Sequence, residues 1–582
     1  MAAMSDQFTI VTDPIADSVG LSALFAVLPL LTLFLLLGAL RMRAWLAGLI
    51  SLAVALIVAI AVYTMPVGQA LLSASEGAAF GFFPILWIVI NAIWVYNLTV
   101  ASGHFDVLRR SMERVSPDMR IQAIIVAFCF GALLEALAGF GTPVAVTVVM
   151  LMALGFPALR AATVALIANT APVAFGALAT PIVTLGTVTS GASDDPRLNT
   201  EMLGAMVGRQ TPLLAVVVPL VLVAVIDGRR GVRQTWPAAL VAGVVFAVGQ
   251  FVASNYISVP LTDIIAALLA AAAVVLLLRF WRPVESPDLA VPPPASASSG
   301  SGPSALRPST SVASASGPSS SGPSGSVTVV RDTRVEVARA YAPYLIIIAI
   351  FSVANIGAVK AALAKEPWTV AFAWPGLHVL GANGKPLAST TFTLGWLSAA
   401  GTLMILAGIL TALVLRVRPR RAVRAYAATY AELRHAIVTV MAVLALAYVL
   451  NQSGQTTTLG QALAETGGAF VFLASILGWI GVAVTGSDTS ANALFGALQV
   501  QTATKAGLDP LLLAAANSSG GVLGKMISPQ NLAIAASAVG MAGKEGDIFR
   551  RVVGWSLLLL LVMCILVALQ GTPVLGWMVP AA

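Results

Sequence analysis

A series of apolar runs, each about as long as a bilayer is thick, most constrains how this chain can fold. Runs such as 21–40 and 44–63 supply about 20 apolar residues each, the length that a membrane-spanning helix needs. Only 10% of the 582 residues are charged, whereas a soluble domain carries about 25%. The sequence therefore predicts an all-α polytopic membrane protein with about 12–14 transmembrane helices.

Basic residues cluster in short segments between the apolar runs. The formal net charge of +8 arises from these clusters, which is the pattern of cytoplasmic loops and not of a nucleic-acid surface. Arg41 and Arg43 follow the first run, and the loops 104–120 and 416–434 are also rich in arginine. The loop 191–207 is acidic. This distribution predicts a multi-pass protein with both termini on the external side.

Polar breaks interrupt the apolar runs at corresponding places in two halves of the chain. Residues 168–181 match residues 516–529 at a constant offset, with identities at Ala, Asn, Gly and Pro positions. Each copy follows another break, at 135–143 in the first half and at 485–492 in the second. Paired interruptions of this kind point to the binding site of a secondary transporter. Chance similarity between helices rich in small residues is the alternative.

The predicted organisation is two membrane repeats, 1–282 and 336–582, joined by a linker. Residues 283–335 are rich in Ser, Gly and Pro and are predicted to be a disordered cytoplasmic segment. Each repeat should contain a re-entrant hairpin and then a broken helix, at 121–158 and 161–190 in the first repeat and at 466–504 and 510–542 in the second. For the first hairpin, two full spans with a short outer turn fit equally well. Basic loops flank the first hairpin and external loops flank the second, so we expect two inverted-topology repeats.

The breaks supply small polar side chains and three charges at depth. Half-helix N-termini carry a partial positive charge, which suits an anion. We expect Glu135 or Asp488 to carry a coupling proton, because a charge in the membrane is costly unless it pairs or faces water. The expected substrate-binding residues are Thr142, Asn169, Thr170, Thr489, Ser490, Asn517, Ser518, Ser519 and Lys525. The alternatives are hydroxyl bonds to helix carbonyls and a structural ion pair at Lys525. Glu76 is expected at a membrane interface.

Catalysis is not predicted. The sequence shows no activated nucleophile, cofactor motif or metal-ligand cluster, and its three histidines, His104, His378 and His435, lie in or near expected loops. We therefore expect neither a cofactor nor a bound metal, and we favour a secondary transporter over an enzyme. An anion channel is a further alternative, which uptake against a gradient would exclude.

Four motifs resemble the L-lactate permease family of bacterial inner-membrane transporters. They are LEALAGFGTP at 134–143, ANTAPVAFG at 168–176, TGSDTSAN at 485–492 and ANSSGGV at 516–522, the last running on through Lys525, Pro529 and Gln530. The resemblance spans both halves. It implies uptake of L-lactate and related short 2-hydroxy monocarboxylates, such as glycolate, by proton symport across the inner membrane. Sodium coupling and assembly into a homo-oligomer stay open as alternatives.

Overall fold

The chain folds as a bundle of apolar helices. The structure, a computed structural model, describes residues 7–40, 42–113, 115–139, 141–283, 332–354, 356–381, 384, 386–541 and 544–581. Within these residues, ten helices are long and apolar enough to cross a membrane, and four shorter apolar helices accompany them. The prediction of an all-α polytopic membrane protein is confirmed. The predicted linker lies outside the described residues over 284–331.

The first half is built from fourteen α-helices within the described residues. They are α1 Val19–Ala26, α2 Leu28–Phe34, α3 Ala44–Ala61, α4 Val67–Phe80, α5 Trp87–Ala101, α6 His104–Glu113, α7 Met119–Gln122, α8 Gly131–Ala138, α9 Thr142–Ala153, α10 Ala158–Ala168, α11 Thr180–Thr189, α12 Thr200–Val207, α13 Thr211–Val252 and α14 Thr262–Phe280. Short π-helical segments at 35–39, 81–86, 123–130 and 253–257 join some of them. Helix α13 is interrupted at Asp227 and Gly228, where the backbone leaves helical geometry. Its two arms correspond to two of the predicted spans.

The second half contributes ten α-helices and most of the short strands. The helices are α15 Arg334–Ala354, α16 Gly357–Leu363, α17 Ala400–Val414, α18 Pro419–Gln452, α19 Gln455–Ala464, α20 Phe470–Thr485, α21 Asp488–Ala506, α22 Pro510–Gly524, α23 Pro529–Ala538 and α24 Glu545–Gln570. Strand β1 (Phe8–Thr9) pairs in parallel with β3 (Val379–Leu380), and β2 (Val370–Ala373) pairs antiparallel with β4 (Thr391–Leu394).

Contacts between loops divide the segments that connect the helices into two groups, one at each face of the bundle. On one face, Arg120 bonds Asp227 at 3.0 Å and Arg110 bonds Asp332 at 2.6 Å, which brings the basic loops together. On the other face, Lys360 pairs with Glu201, and Thr458 donates to the carbonyl oxygen of Thr12 at 2.7 Å. Each group of contacts therefore joins segments at one face of the helix bundle.

Arg197 ties the second of these faces to the C-terminal segment. Its guanidinium donates to Asp195 at 2.6 Å, to Asp509 at 2.9 Å and to the carbonyl oxygen of Pro580 at 2.9 Å. The hydrogen bond from Arg197 lowers the pKa of the Asp195 carboxyl below its ordinary value of about 3.9. A lowered pKa contributes stability above the ordinary value, and that stability is lost as the pH falls through the lowered value.

We therefore expect Arg197→Gln to lower the melting temperature by about 1–2 °C. The difference from the wild type should be constant between about pH 5 and pH 8, and it should shrink below about pH 4. Arg550→Gln is the matched control, because Arg550 pairs with Asp547 on an exposed helix surface. Thermal unfolding followed by fluorescence measures both variants, and a difference that grew on acidification would contradict this account.

Helices α20 and α22 pack at unusually short range through glycines. A Cβ atom at Gly478 would lie 1.9 Å from the carbonyl oxygen of Asn517, and one at Gly520 would lie 2.2 Å from that of Ser475. Small residues of this kind let helix backbones approach closely in membranes. The first part of the break at 516–529 is therefore regular helix, since α22 continues to Gly524. These glycines serve helix packing.

Candidate functional site

A cavity of about 1190 Å³ lies where the four polar breaks meet. Its wall contains Gly139 from the first hairpin and Thr180 from the first broken helix, together with Gly486 and Pro529 from the second pair. The sequence predicted a site formed by these breaks, and the fold brings all four to one place. Glu135, Asp488 and Lys525 all line the same cavity.

Glycines in left-handed backbone geometry turn the chain at both hairpins. Gly139 and Gly141 have φ angles of 38° and 85°, and Gly486 has a φ of 76°. Residues with a side chain rarely adopt these angles, so glycine suits each turn. A Cβ atom at Gly141 would also lie 2.3 Å from the side chain of Ile534. The first hairpin tip therefore packs directly on α23.

Three helices begin at the cavity wall. Helix α11 begins at Thr180, α21 at Asp488 and α23 at Pro529, and all three residues line the cavity. The N-terminus of a helix carries a partial positive charge and N–H groups that the helix does not use. Three such termini around one cavity create an environment that favours an anion. Two of them, those of α11 and α23, occupy matching positions in the sequence repeat.

Lys525 and Glu135 form an ion pair between the two halves of the chain. Lys525 Nζ lies 2.7 Å from Glu135 Oε1, and Asn169 Nδ2 donates to Glu135 Oε2 at 2.9 Å. Both charged side chains are more than nine-tenths buried. The lysine lies in the short 3₁₀ turn 525–527, where α22 ends before α23 begins. The broken helix thus projects the lysine into the cavity, opposite the carboxylate on α8.

Asp488 is held by neutral groups. Ser518 Oγ donates to Asp488 Oδ2 at 2.6 Å, and Asn492 Nδ2 lies 3.2 Å from the same oxygen. Asp488 Oδ1 has no hydrogen-bond partner within the described residues. This oxygen lies against Gly521, where a Cβ atom would be 2.4 Å away. The two carboxylates therefore differ, because only Glu135 contacts a cation.

The expected substrate-binding residues divide into two groups. Thr489, Ser490 and Lys525 line the cavity. Asn169 and Ser518 lie behind the wall and bond its two carboxylates. The cavity wall does not include Thr142, Thr170, Asn517, Ser518, Ser519 or Asn169.

The polar side chains behind the cavity wall form hydrogen bonds mainly with neighbouring groups of the protein. Thr170 Oγ1 donates to the carbonyl oxygen of Ile167, which is the hydroxyl bond to a helix carbonyl that was the alternative to substrate binding. Asn517 Nδ2 donates to Asn492 Oδ1 at 2.9 Å, and Ser519 Oγ donates to Gln210 Oε1 at 2.6 Å. These residues build a polar layer between helices and not a surface that a ligand in the cavity would touch.

Residues from the basic segments also line the cavity, and we refer to this part of the wall as its mouth. Arg43 and Trp45 contribute from the start of α3, Arg434 and His435 from α18, and Glu545 from α24. Trp45 and His435 stack with ring centroids 5.9 Å apart. His435 was expected in or near a loop, but it lies within the 34-residue helix α18. Helical periodicity across a basic segment was the signal that could have placed it.

Two further acidic side chains are buried, in addition to the three charges that were expected at depth. Glu76, which was expected at a membrane interface, is fully buried within the protein, and its Oε2 accepts from Gln452 Nε2 at 2.8 Å. Asp263, at the start of α14, is also buried and accepts from Gln250 Nε2 at 3.0 Å. Gln250 also contacts the carbonyl oxygen of Ala171 at 3.3 Å, so this pair supports the first broken helix.

Comparisons with known proteins agree with the resemblance in the four motifs. The family model described as L-lactate permease matches residues 22–574. The chain is 41% identical to an L-lactate permease of Bacillus subtilis, over 99% of this chain and 100% of that protein. It is 40% identical to an L-lactate permease of Escherichia coli, with 98% of each chain covered.

A second relative in Escherichia coli bears a different name. It is a glycolate permease, GlcA, and it is 41% identical over 96% of this chain and 97% of that protein. Since these relatives are permeases matched over nearly their whole length, the expectation of a transporter rather than an enzyme is confirmed. The chain therefore belongs to the L-lactate permease family.

Proposed function

We propose that the protein takes up L-lactate and related short 2-hydroxy monocarboxylates, glycolate among them, together with protons. The ion pair between Lys525 and Glu135 inside a cavity with three helix N-termini is the observation that carries this proposal. The names of relatives, L-lactate permease and glycolate permease, support the substrate class. The cavity is large enough for a three-carbon anion and its water.

The proposed coupling is an exchange of anions at Lys525. When Glu135 is ionised, its carboxylate pairs with the ammonium group of Lys525, which is then not available to the substrate. When Glu135 takes up a proton, the ion pair is lost and the ammonium group can bind the carboxylate of the substrate instead. The charge within the cavity is the same in both states. Proton binding and substrate binding therefore favour each other, so the two are expected to occupy the carrier together.

Asp488 is the second candidate for the coupling proton. Its partners Ser518 and Asn492 are neutral, so a proton can be exchanged there without breaking an ion pair. Thr489 and Ser490, next to it in the wall, supply hydroxyl groups for the 2-hydroxyl of the substrate. We assign the coupling to Glu135 first, because only Glu135 contacts the cation that would bind the substrate.

The proposed orientation places the mouth of the cavity in the cytoplasm. The mouth lies among arginine-containing segments, represented by Arg43 and Arg434, and such segments stay on the cytoplasmic side. Both ends of the described chain then lie on the external side of the inner membrane, and the structure corresponds to an inward-open state. The inverted repeat remains part of this proposal, since the matching breaks 168–181 and 516–529 both lead into a helix that faces the cavity.

Glu135→Gln is expected to separate substrate exchange from accumulation. Without the competing carboxylate, Lys525 can bind lactate at any pH, so exchange of internal for external lactate should persist. With an outside-acid gradient of one pH unit, accumulation should fall by about tenfold, to equal concentrations on both sides, because tenfold is all that such a gradient supplies. Proteoliposomes loaded with unlabelled lactate measure exchange, and empty ones measure accumulation, both without sodium.

Asp488→Asn and Glu465→Gln complete the experiment. Glu465 is exposed, so its variant should behave as the wild type does. If Asp488→Asn loses accumulation while Glu135→Gln keeps it, the coupling role moves to Asp488. If both keep full accumulation, proton coupling at these residues is wrong. If uptake requires sodium, the coupling ion is sodium and not the proton. If the internal concentration of lactate never exceeds the external one, the protein is a channel.

A further inference from the structure

A second concave pocket, separate from the central cavity, holds four arginines and two tryptophans. It measures about 610 Å³ and is lined by Arg229, Arg230, Arg233, Gln234, Trp236, Pro237, Trp281 and Arg282. These residues come from α13 just after its interruption and from the chain just after α14. None of them lines the central cavity, and the proposed transport mechanism uses none of them.

The pocket lies at a membrane boundary. The interruption at Gly228 separates two apolar arms of α13, so the chain turns there between two crossings. Helix α14 ends nearby at Phe280. The side chains of Trp236 and Phe280 are 52% and 85% exposed, and exposed aromatic residues of this kind concentrate where lipid headgroups meet the hydrocarbon. The pocket therefore faces the headgroup layer of one leaflet.

The charge of the pocket is strongly positive. Asp227, just outside it, accepts from Arg230 at 2.8 Å and from Arg120 at 3.0 Å. The lining residues include no acidic side chain. Arg229, Arg233 and Arg282 are exposed and form no ion pair within the described residues. Three guanidinium groups around one pocket suit a phosphate, because each offers paired N–H donors in a plane.

An exposed apolar stripe leads away from the pocket along α13. It consists of residues four positions apart, and it winds slowly around the helix, by about 40° at each step, through Trp236, Leu240, Val244, Val248 and Val252. Residues with this spacing lie one above another along a helix. A free phosphate ion would use only the arginines. A phospholipid would contact the stripe as well, because its acyl chains would lie along the stripe while its headgroup occupied the pocket.

We propose that this pocket binds the headgroup of an anionic phospholipid, with the phosphate between Arg229, Arg233 and Arg282 and an acyl chain on the stripe. Basic pockets at the cytoplasmic side of transmembrane helices recognise such lipids. The arginines hold the charge, and the exposed Trp236 marks the depth at which the glycerol backbone would lie. The bound lipid would stabilise the turn between the two arms of α13.

Native mass spectrometry of the purified full-length chain, stripped of lipid and titrated with phosphatidylglycerol, tests the proposal. We expect one tightly retained phosphatidylglycerol and much weaker retention of phosphatidylcholine. The triple variant R229Q/R233Q/R282Q should weaken the binding of phosphatidylglycerol by roughly two orders of magnitude. The control R418Q/R420Q/R424Q removes the same charge from exposed positions of another basic segment and should bind as the wild type does.

Three outcomes would overturn the proposal. The first is equal retention of the two lipids by the wild type, a result that needs no variant to fold. The second is an equal loss of binding in the control and in the pocket variant, which would indicate a general charge effect. The third is displacement of phosphatidylglycerol by millimolar inorganic phosphate, which would show that the pocket takes a free anion. Retention that declines as salt is raised would support the ionic contact.

Discussion

Lys525→Met is expected to reduce L-lactate uptake by about a hundredfold or more. The lysine is the cation that meets Glu135 at the inner part of the cavity, and the proposed substrate carboxylate would take the place of Glu135 there. Methionine keeps the length of the side chain but removes its charge. The variant leaves Glu135 buried beside an apolar group, so loss of substrate binding and loss of stability must be measured separately.

Uptake of labelled lactate into proteoliposomes and the yield of folded protein provide the two readouts. Lys505→Met is the matched control, since Lys505 is exposed at the end of α21 and should leave uptake unchanged. The double variant E135Q/K525M removes the unpaired carboxylate, and we expect it to recover folded protein without recovering uptake. Uptake at the wild-type rate in Lys525→Met would show that the lysine holds no substrate.

Gly478→Ala is expected to prevent the protein from folding, or to destabilise it by about 3 kcal/mol or more. The new methyl group would lie 1.9 Å from the carbonyl oxygen of Asn517 and 2.7 Å from its carbonyl carbon. Both atoms belong to the backbone of α22, so no side chain can rotate away. Relief requires that α20 and α22 separate, and that movement would also displace Ser518 from Asp488.

Gly554→Ala is the control for this substitution. Gly554 lies in α24, and a Cβ atom built there has no heavy atom within 4 Å. Alanine is the better helix former, so this variant should be as stable as the wild type or slightly more stable. Size-exclusion profiles and melting temperatures in detergent compare the two variants. A Gly478→Ala protein that folds and melts as the wild type does would show that the two helices are free to adjust.

Much of the architecture could be predicted from residues that act locally. Apolar runs identified the helical membrane class, because their length must match the bilayer. Paired breaks located the cavity, because a polar interruption at depth needs water or protein around it. Glu135, Asp488 and Lys525 could be singled out since charges within apolar runs are costly, and all three line the cavity.

Other features depend on which helices meet, and no local pattern contains that information. The glycines of 520–524 look like a flexible loop in sequence, but they belong to a regular helix because α20 lies against them. The burial of Glu76 depends on α18, which lies nearly four hundred residues away in the sequence and supplies Gln452. Which hydroxyl groups reach the cavity also depends on rotations of helices that sequence spacing alone does not define.

The contact between Lys525 and Glu135 has an electrical consequence. If the carboxylate of Glu135 and that of the substrate alternate as partners of the lysine, the charges of this group sum to zero both with and without the bound substrate. Moving one elementary charge through a potential of 100 mV involves about 2.3 kcal/mol, and such a site would experience none of it in either direction. Membrane voltage would then do no work on the carrier, and the proton gradient alone would determine how far lactate accumulates.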